Sequence, residues 1–384
     1  MSNSKAIQPP KKLSTHPPPP PSLSSLPDDI VLSCLARVPR SHHLNISWVS
    51  RNLRALVRSP QLNLLRSTTL PKNSLHVCLE DLEDDDYSSF QWYTLKETSP
   101  KEYGLVTNST PFPSHPNYDS SIVAVGPKIF CIGGPRGEPS TDLWILDTRS
   151  GTIIQGPSMT VPRDEDKAAV GVIDGKIYVI GGLPFFFTTD GIFREEEEIL
   201  VEVFDPKSET WELGGHENVR KIARCCASVE GKVFIVEDKR TSVYNPREGE
   251  GERMVHMVSE RLSEGGSKDK LKDRVYDVCV VDDVLFALFH NTGLMWFDTK
   301  HSVWKKLVGR DGKELPFILR VEAIAEYEGR LVVFYSDILA RTVQCMFVSL
   351  DRARGKICGT IDWSGILATP PVSFRFRQCL TVSE

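Results

Sequence analysis

The 384-residue chain is short of the marks that enzymes, metalloproteins and membrane proteins carry. It has no C-x-x-C pair, and its histidines are scattered, with His42-His43 as the sole cluster. Those spacings exclude the usual structural zinc sites. His-x-His, His-x-x-Glu-His and Gly-x-Ser-x-Gly are all missing. Gly133-Gly134 and Gly181-Gly182 end apolar strands without opening helices, so they do not form phosphate-cradling loops. The expectation is therefore no catalytic, metal-binding or cofactor-binding residue. No apolar run approaches the roughly 20 residues that span a bilayer. Lys5, Lys11 and Lys12 sit among prolines where a secretory signal would need an apolar core. A net charge of −5 gives no reason to expect nucleic acid or an anionic membrane surface as partner. Cysteine is present but not arranged for bridges. Cys78, Cys131, Cys225, Cys226, Cys279 and Cys345 lie within apolar, strand-like stretches, where a free thiol acts as a small buried hydrophobe. An intracellular protein, in the cytoplasm, the nucleus or both, is expected.

A repeat is what the sequence does contain. Asp174-Gly175 precedes Lys176-Ile177-Tyr178-Val179-Ile180-Gly181-Gly182, a tight turn followed by a short apolar strand and a glycine pair. Asp-Gly between apolar runs signals a two-residue hairpin, because such turns need positive φ. Gly126-Pro127, Glu230-Gly231, Asp282-Asp283 and Glu328-Gly329 stand before similar strands. A second marker runs in phase. Asp147, Asp205, Asn245, Asp298 and Asp351 follow apolar strands, and Ile153, Trp211, Trp304 and Ile357 come a few residues later. Two markers at one period of about 50 residues indicate an array of four-stranded blades that must stack to bury their faces. These repeats resemble kelch repeats. The glycine pair is kept at 133–134 and 181–182 and replaced by Val236-Glu237, Phe289-His290 and Tyr335-Ser336.

The chain ahead of the repeats has a different character. Residues 1–22 carry Pro9-Pro10 and the run Pro17 to Pro21, a composition that cannot bury enough apolar area to order itself. From 23 to 68 the pattern is helical. Leu26-Pro27-Asp28-Asp29 combines an early proline with acids facing the helix dipole. Ile30, Val31, Cys34, Leu35 and Val38 then recur at helical spacing up to Pro39. A second stripe joins Val49, Leu53, Leu56 and Val57. So short a module buries little by itself, and its apolar stripes read as a docking surface.

This segment resembles an F-box, through Leu26-Pro27-Asp28-Asp29-Ile30, the Leu32 and Leu35 pair, Val38-Pro39 and Val49-Ser50-Arg51-Asn52-Leu53-Arg54-Ala55-Leu56. The family usually has tryptophan where Leu53 stands, and Trp48 lies close by. An F-box ahead of kelch-like repeats is similar to the plant F-box/kelch-repeat proteins. The resemblance implies a small all-α module at 23–68 and an all-β kelch propeller at 69–384. It also implies the work of a substrate receptor in a cullin-based ubiquitin ligase. The module would dock on a Skp-type adaptor through Leu26, Pro27, Ile30, Leu32, Leu35, Val38, Pro39, Val49, Leu53 and Leu56, while the propeller holds a substrate protein. Such a chain is not itself an enzyme. The alternatives are a propeller scaffold without a ligase role, and a ligand-binding or oxidase-like propeller.

The two ends of the repeat region remain. Leu75 to Leu79 and Phe90 to Leu95 read as two strands short of a blade, joined by an acidic run from Glu80 to Asp86 that reads as a solvated loop tip. Phe374 to Leu380 alternates like a strand and has no blade of its own. Joining these ends predicts six blades closed by the C-terminal strand. The long connection after Gly182 holds Phe185, Phe186, Phe187 and Phe193, then Glu196 and Glu197. Those residues read as a substrate-binding anchor with an acidic rim, or as a plug of the central channel.

Overall fold

The computed structural model describes residues 26–38, 46–59, 61–62, 65, 73–82, 89–107, 121–134, 138–163, 168–182, 198–218, 225–238, 240–249, 251–258, 261–262, 273–316, 320–337, 339–353, 356–370 and 373–383. The proline-rich stretch 1–22 lies outside them. The chain divides into two units, Met1–Leu70 and Pro71–Glu384.

In the first unit, helix α1 (Asp28–Ala36) starts on Pro27, whose carbonyl accepts from the Ile30 and Val31 amides at 3.0 and 3.1 Å. Asp28 and Asp29 occupy its first turn, as the sequence indicates. Helix α2 (Arg51–Val57) starts on Ser50, whose side chain accepts from the Leu53 amide at 3.1 Å. That cap has a consequence for register. Ser50 is extended, so the helical turn at 46–49 does not continue into α2, and Val49 leaves the stripe it was expected to share with Leu53 and Leu56. A core of Val31, Leu32, Leu35, Ala36, Leu53, Leu56 and Leu62 holds the unit together.

The second unit is a six-bladed β-propeller. The first blade comprises β1 (Asn73–Asp81), β2 (Ser89–Ser99) and β3 (Glu102–Thr107). The second has β4 (Ser121–Val125), β5 (Lys128–Ile132), β6 (Leu143–Asp147) and β7 (Thr152–Gln155). Blade three follows with β8 (Ala168–Ile173), β9 (Lys176–Gly181), β10 (Glu198–Asp205) and β11 (Thr210–Asn218). Blade four is β12 (Cys225–Val229), β13 (Lys232–Val236), β14 (Arg240–Tyr244) and β15 (Met254–Val258). After the two-residue β16 (Arg261–Leu262), blade five runs through β17 (Val275–Val281), β18 (Val284–Phe289), β19 (Gly293–Asp298) and β20 (Val303–Lys306). Short β21 (Val308–Gly309) leads to blade six, β22 (Val321–Tyr327), β23 (Arg330–Asp337), β24 (Thr342–Ala353) and β25 (Lys356–Ala368). The last strand, β26 (Phe374–Ser383), returns to pair with β1 and completes blade one. The two short strands β16 and β21 pair in parallel with β20 and β25, which extends those blades.

Strands β26, β4, β8, β12, β17 and β22 form the inner wall and touch one another in that circular order. The C-terminal strand thus closes the ring, as the alternation of Phe374 to Leu380 indicated. Glu80 fastens it. Expected in a solvated loop tip, Glu80 is in fact buried at the end of β1, where Arg377 meets both its oxygens at 2.9 and 3.0 Å and Arg375 approaches at 3.3 Å. Asp81 likewise belongs to β1 as its last residue, and the rest of the acidic run, 83–86, lies outside the described residues. β3 was not foreseen; its outer position leaves every residue at least partly exposed, so it shows little apolar alternation.

Each pair of neighbouring blades shares its own apolar layer, so burial belongs to the interfaces rather than to one central core. Trp304 of β20 is fully buried, and its Nε1 donates to Thr241 Oγ1 of β14 at 2.9 Å, linking blades four and five. The sequence markers have physical counterparts. Asp174 and Gly175 both take positive φ, at 52° and 80°. Asp147, Asp205, Asn245 and Asp298 each accept a backbone N–H two residues on with a side-chain oxygen, shaping the turn between third and fourth strands.

Candidate functional site

The apolar residues of the helical unit separate into two groups. Leu32, Leu35, Leu53 and Leu56 are buried in the unit's own core, and Val38 is half-buried. Leu26, Pro27, Ile30 and Val49 are exposed, Val49 at 74% and its neighbour Trp48 at 75%. Pro39 lies outside the described residues. The core leucines hold the helices at a fixed spacing, aided by Asn52 donating to Asp28 across α1 and α2 at 3.1 Å. Among the described residues of this small unit, Leu26, Ile30, Trp48 and Val49 are large apolar groups left in water, which makes them a candidate contact surface.

Within each blade the strands alternate direction. The connections between second and third strands, and from each fourth strand to the next blade, therefore emerge on one face. The anchor residues expected there, Phe185, Phe186, Phe187, Phe193, Glu196 and Glu197, lie outside the described residues. The residues at either end of that connection are described. Arg163, in the connection from blade two to blade three, has no exposure. It donates to the carbonyls of Gly181 and Leu200 and meets Glu202 Oε2 at 2.7 Å. Burial lowers its pKa from the ordinary guanidinium value, while the hydrogen bond and charge of Glu202 oppose that shift. Glu202 also accepts from the Thr160 amide at 2.7 Å. The glycine pairs sit against this chain segment: a Cβ on Gly133 would stand 2.8 Å from the Arg163 carbonyl oxygen, and one on Gly182 2.6 Å from Ala168 Cβ. Close backbone approach is the reason those positions are glycine.

On the inner wall, Cys226 donates to the Val170 carbonyl at 3.2 Å and Cys379 to that of Ile324 at 3.8 Å, bridging adjacent blades. Asp277 accepts from the Ile324 and Val278 amides at 2.9 and 2.8 Å. Burial nonetheless pushes its carboxyl up to about 7. The thiols nearby are driven the other way from reactivity: burial raises Cys226 to about 11 and Cys279 well above the ordinary thiol value. Among the described residues no cluster of His, Cys, Asp and Glu is placed to hold a metal ion.

This architecture, a small helical module with an exposed apolar edge ahead of a closed kelch-type propeller, defines a two-part adaptor protein. Comparison with known proteins agrees. Residues 23–65 match the model of the F-box domain, and residues 91–368 that of the "FKB95, Kelch-repeats domain". Three Arabidopsis thaliana proteins described as F-box/kelch-repeat proteins are similar along their lengths. One is 38% identical over 393 residues, covering 94% of this chain and 98% of the relative. A second is 33% identical over 396 residues, with 99% and 97% covered. A third reaches 46% over 261 residues, 64% of this chain and 93% of its own. The chain belongs to the F-box/kelch-repeat family, whose organisation is that of a substrate adaptor.

Proposed function

We propose that this protein is the substrate-recognition subunit of an SCF-type cullin E3 ubiquitin ligase. Its helical unit docks on a Skp-type adaptor through Leu26, Pro27, Ile30, Trp48 and Val49, with Leu32, Leu35, Leu53 and Leu56 shaping that surface from beneath. The observation that carries this reading is the sorting just described: the described residues of the unit form a core of their own, yet large apolar groups remain outside it. The propeller face that bears the second-to-third connections holds the substrate protein, with Phe185, Phe186, Phe187 and Phe193 as apolar anchors and Glu196 and Glu197 as an acidic rim. Catalysis belongs to the partners. This chain acts by raising the local concentration of substrate near the transferring enzyme and by fixing its geometry. Such ligases operate in the cytoplasm and the nucleus, and no helix among the described residues is long and apolar enough to cross a membrane.

Affinity purification from cells with ligase activity blocked tests the reading. Wild-type protein should bring down a Skp-type adaptor and a cullin together, and Val49→Asp should lose both while keeping its melting temperature. Recovery of neither partner by the wild-type protein would leave a scaffold without a ligase role.

A further inference from the structure

Blades five and six enclose a cavity of about 310 Å3, at the small end of the roughly 300–1,000 Å3 typical of ligand sites. Its floor is apolar: Leu288, Leu294, Leu307, Val333 and Met346 are all buried there. The mouth opens on the face that carries the second-to-third connections, between the β18–β19 turn and the segment leading into β22.

The wall is built rather than incidental. Asp273 is fully buried and accepts from the Asn291 and Thr292 amides at 2.8 and 2.9 Å and from the Thr292 hydroxyl. His290 donates its amide to the Arg274 carbonyl at 2.9 Å. The turn so pinned sets the His290 ring against Tyr276, stacked at 5.4 Å with 23° between planes, and both rings are exposed at the mouth. Among the charged side chains that line the cavity, one is left over. Glu314 and Lys306 neutralise each other in an ion pair, whereas Arg320 lines the cavity, exposed and without an ion-pair partner among the described residues.

We propose that this cavity is a binding site for a small amphipathic carboxylic acid. Its aromatic or branched aliphatic body fills the floor, and its carboxylate pairs with Arg320. The floor is aliphatic and offers no side-chain partner for the hydroxyls of a sugar. A cationic ligand would meet Arg320, while a carboxylate can take the guanidinium in a two-point hydrogen bond. The site stands on the propeller alone and does not depend on the ligase reading.

The test uses the full chain and three probes with one shared body: phenylbutyrate, phenylbutanol and phenylbutylamine, each followed by saturation-transfer NMR. The acid should bind at least about tenfold more tightly than the alcohol, a difference of about 1.4 kcal/mol, and the amine should not bind. Arg320→Gln should reduce the acid to the level of the alcohol. Leu315→Trp, at a half-buried lining position, should block both while leaving the melting temperature within a few degrees of wild type. Equal binding of acid and alcohol, or undiminished acid binding by Arg320→Gln, would overturn the assignment. So would binding confined to a peptide carrying phenylalanine flanked by acids, which would make the cavity a subsite for a protein substrate, and so would no binding at all.

Discussion

Blades three and five solve one structural problem with opposite charges. In each, the segment entering the blade must hold the connection between second and third strands. Blade three uses a buried cation: Arg163 binds the carbonyls of Gly181 and Leu200 and is balanced by Glu202. Blade five uses a buried anion: Asp273 binds the amides of Asn291 and Thr292. Where the guanidinium is used, the glycine pair lets the backbones close up, and that region packs tightly. Where the carboxylate is used, Phe289-His290 replaces the pair, the turn shortens to three residues, and a cavity opens beside it. The kelch signature is thus one means of bracing a blade. Its loss does not break the ring; it leaves room at the face that carries the second-to-third connections.

The strongest way to break the comparison is Glu202→Ala. It leaves Arg163 charged, buried and unpaired, and should cost about 3–5 kcal/mol in urea unfolding. A loss below about 1 kcal/mol would mean that the pair does not brace blade three. Asp273→Ala should cost less, about 1–3 kcal/mol, because the freed amides of the turn lie near the surface and can take water. An effect of similar size, but dependent on pH, is expected at Asp277, on the inner wall beside the blade-five brace. In the folded chain its carboxyl keeps its proton up to about 7, in the unfolded chain only up to about 3.9. The stabilisation is therefore complete below pH 4 and is lost as pH rises to 7. Asp277→Asn should remove that fall, so the variant gains on wild type by on the order of 1–3 kcal/mol between pH 5 and 8. Parallel pH profiles of the two proteins would contradict the shift.

Much of this was legible because it is local. Asp174-Gly175 and the aspartates at 147, 205 and 298 act on residues within a few positions, so each leaves a mark in the sequence. The ring closure was legible too, from strands left over at both ends. Bracing was not. Arg163 with Glu202, Asp273 with the 291–292 turn, and Glu80 with Arg377 join residues far apart in the chain, and a single charged residue does not announce a distant partner. The candidate docking surface was half legible. Helical spacing found the apolar residues of the N-terminal unit, but the Ser50 cap decides which of them face outward, putting Val49 in water and Leu53 in the core.

The most direct measurement is the affinity of a purified Skp-type adaptor for the full chain, by calorimetry. Wild type should bind with one adaptor per chain. Val49→Asp should weaken binding by about 2 kcal/mol or more, roughly thirtyfold, with the propeller's unfolding transition unchanged. Equal affinity for wild type and Val49→Asp, or no binding by wild type at micromolar concentration, would contradict the account.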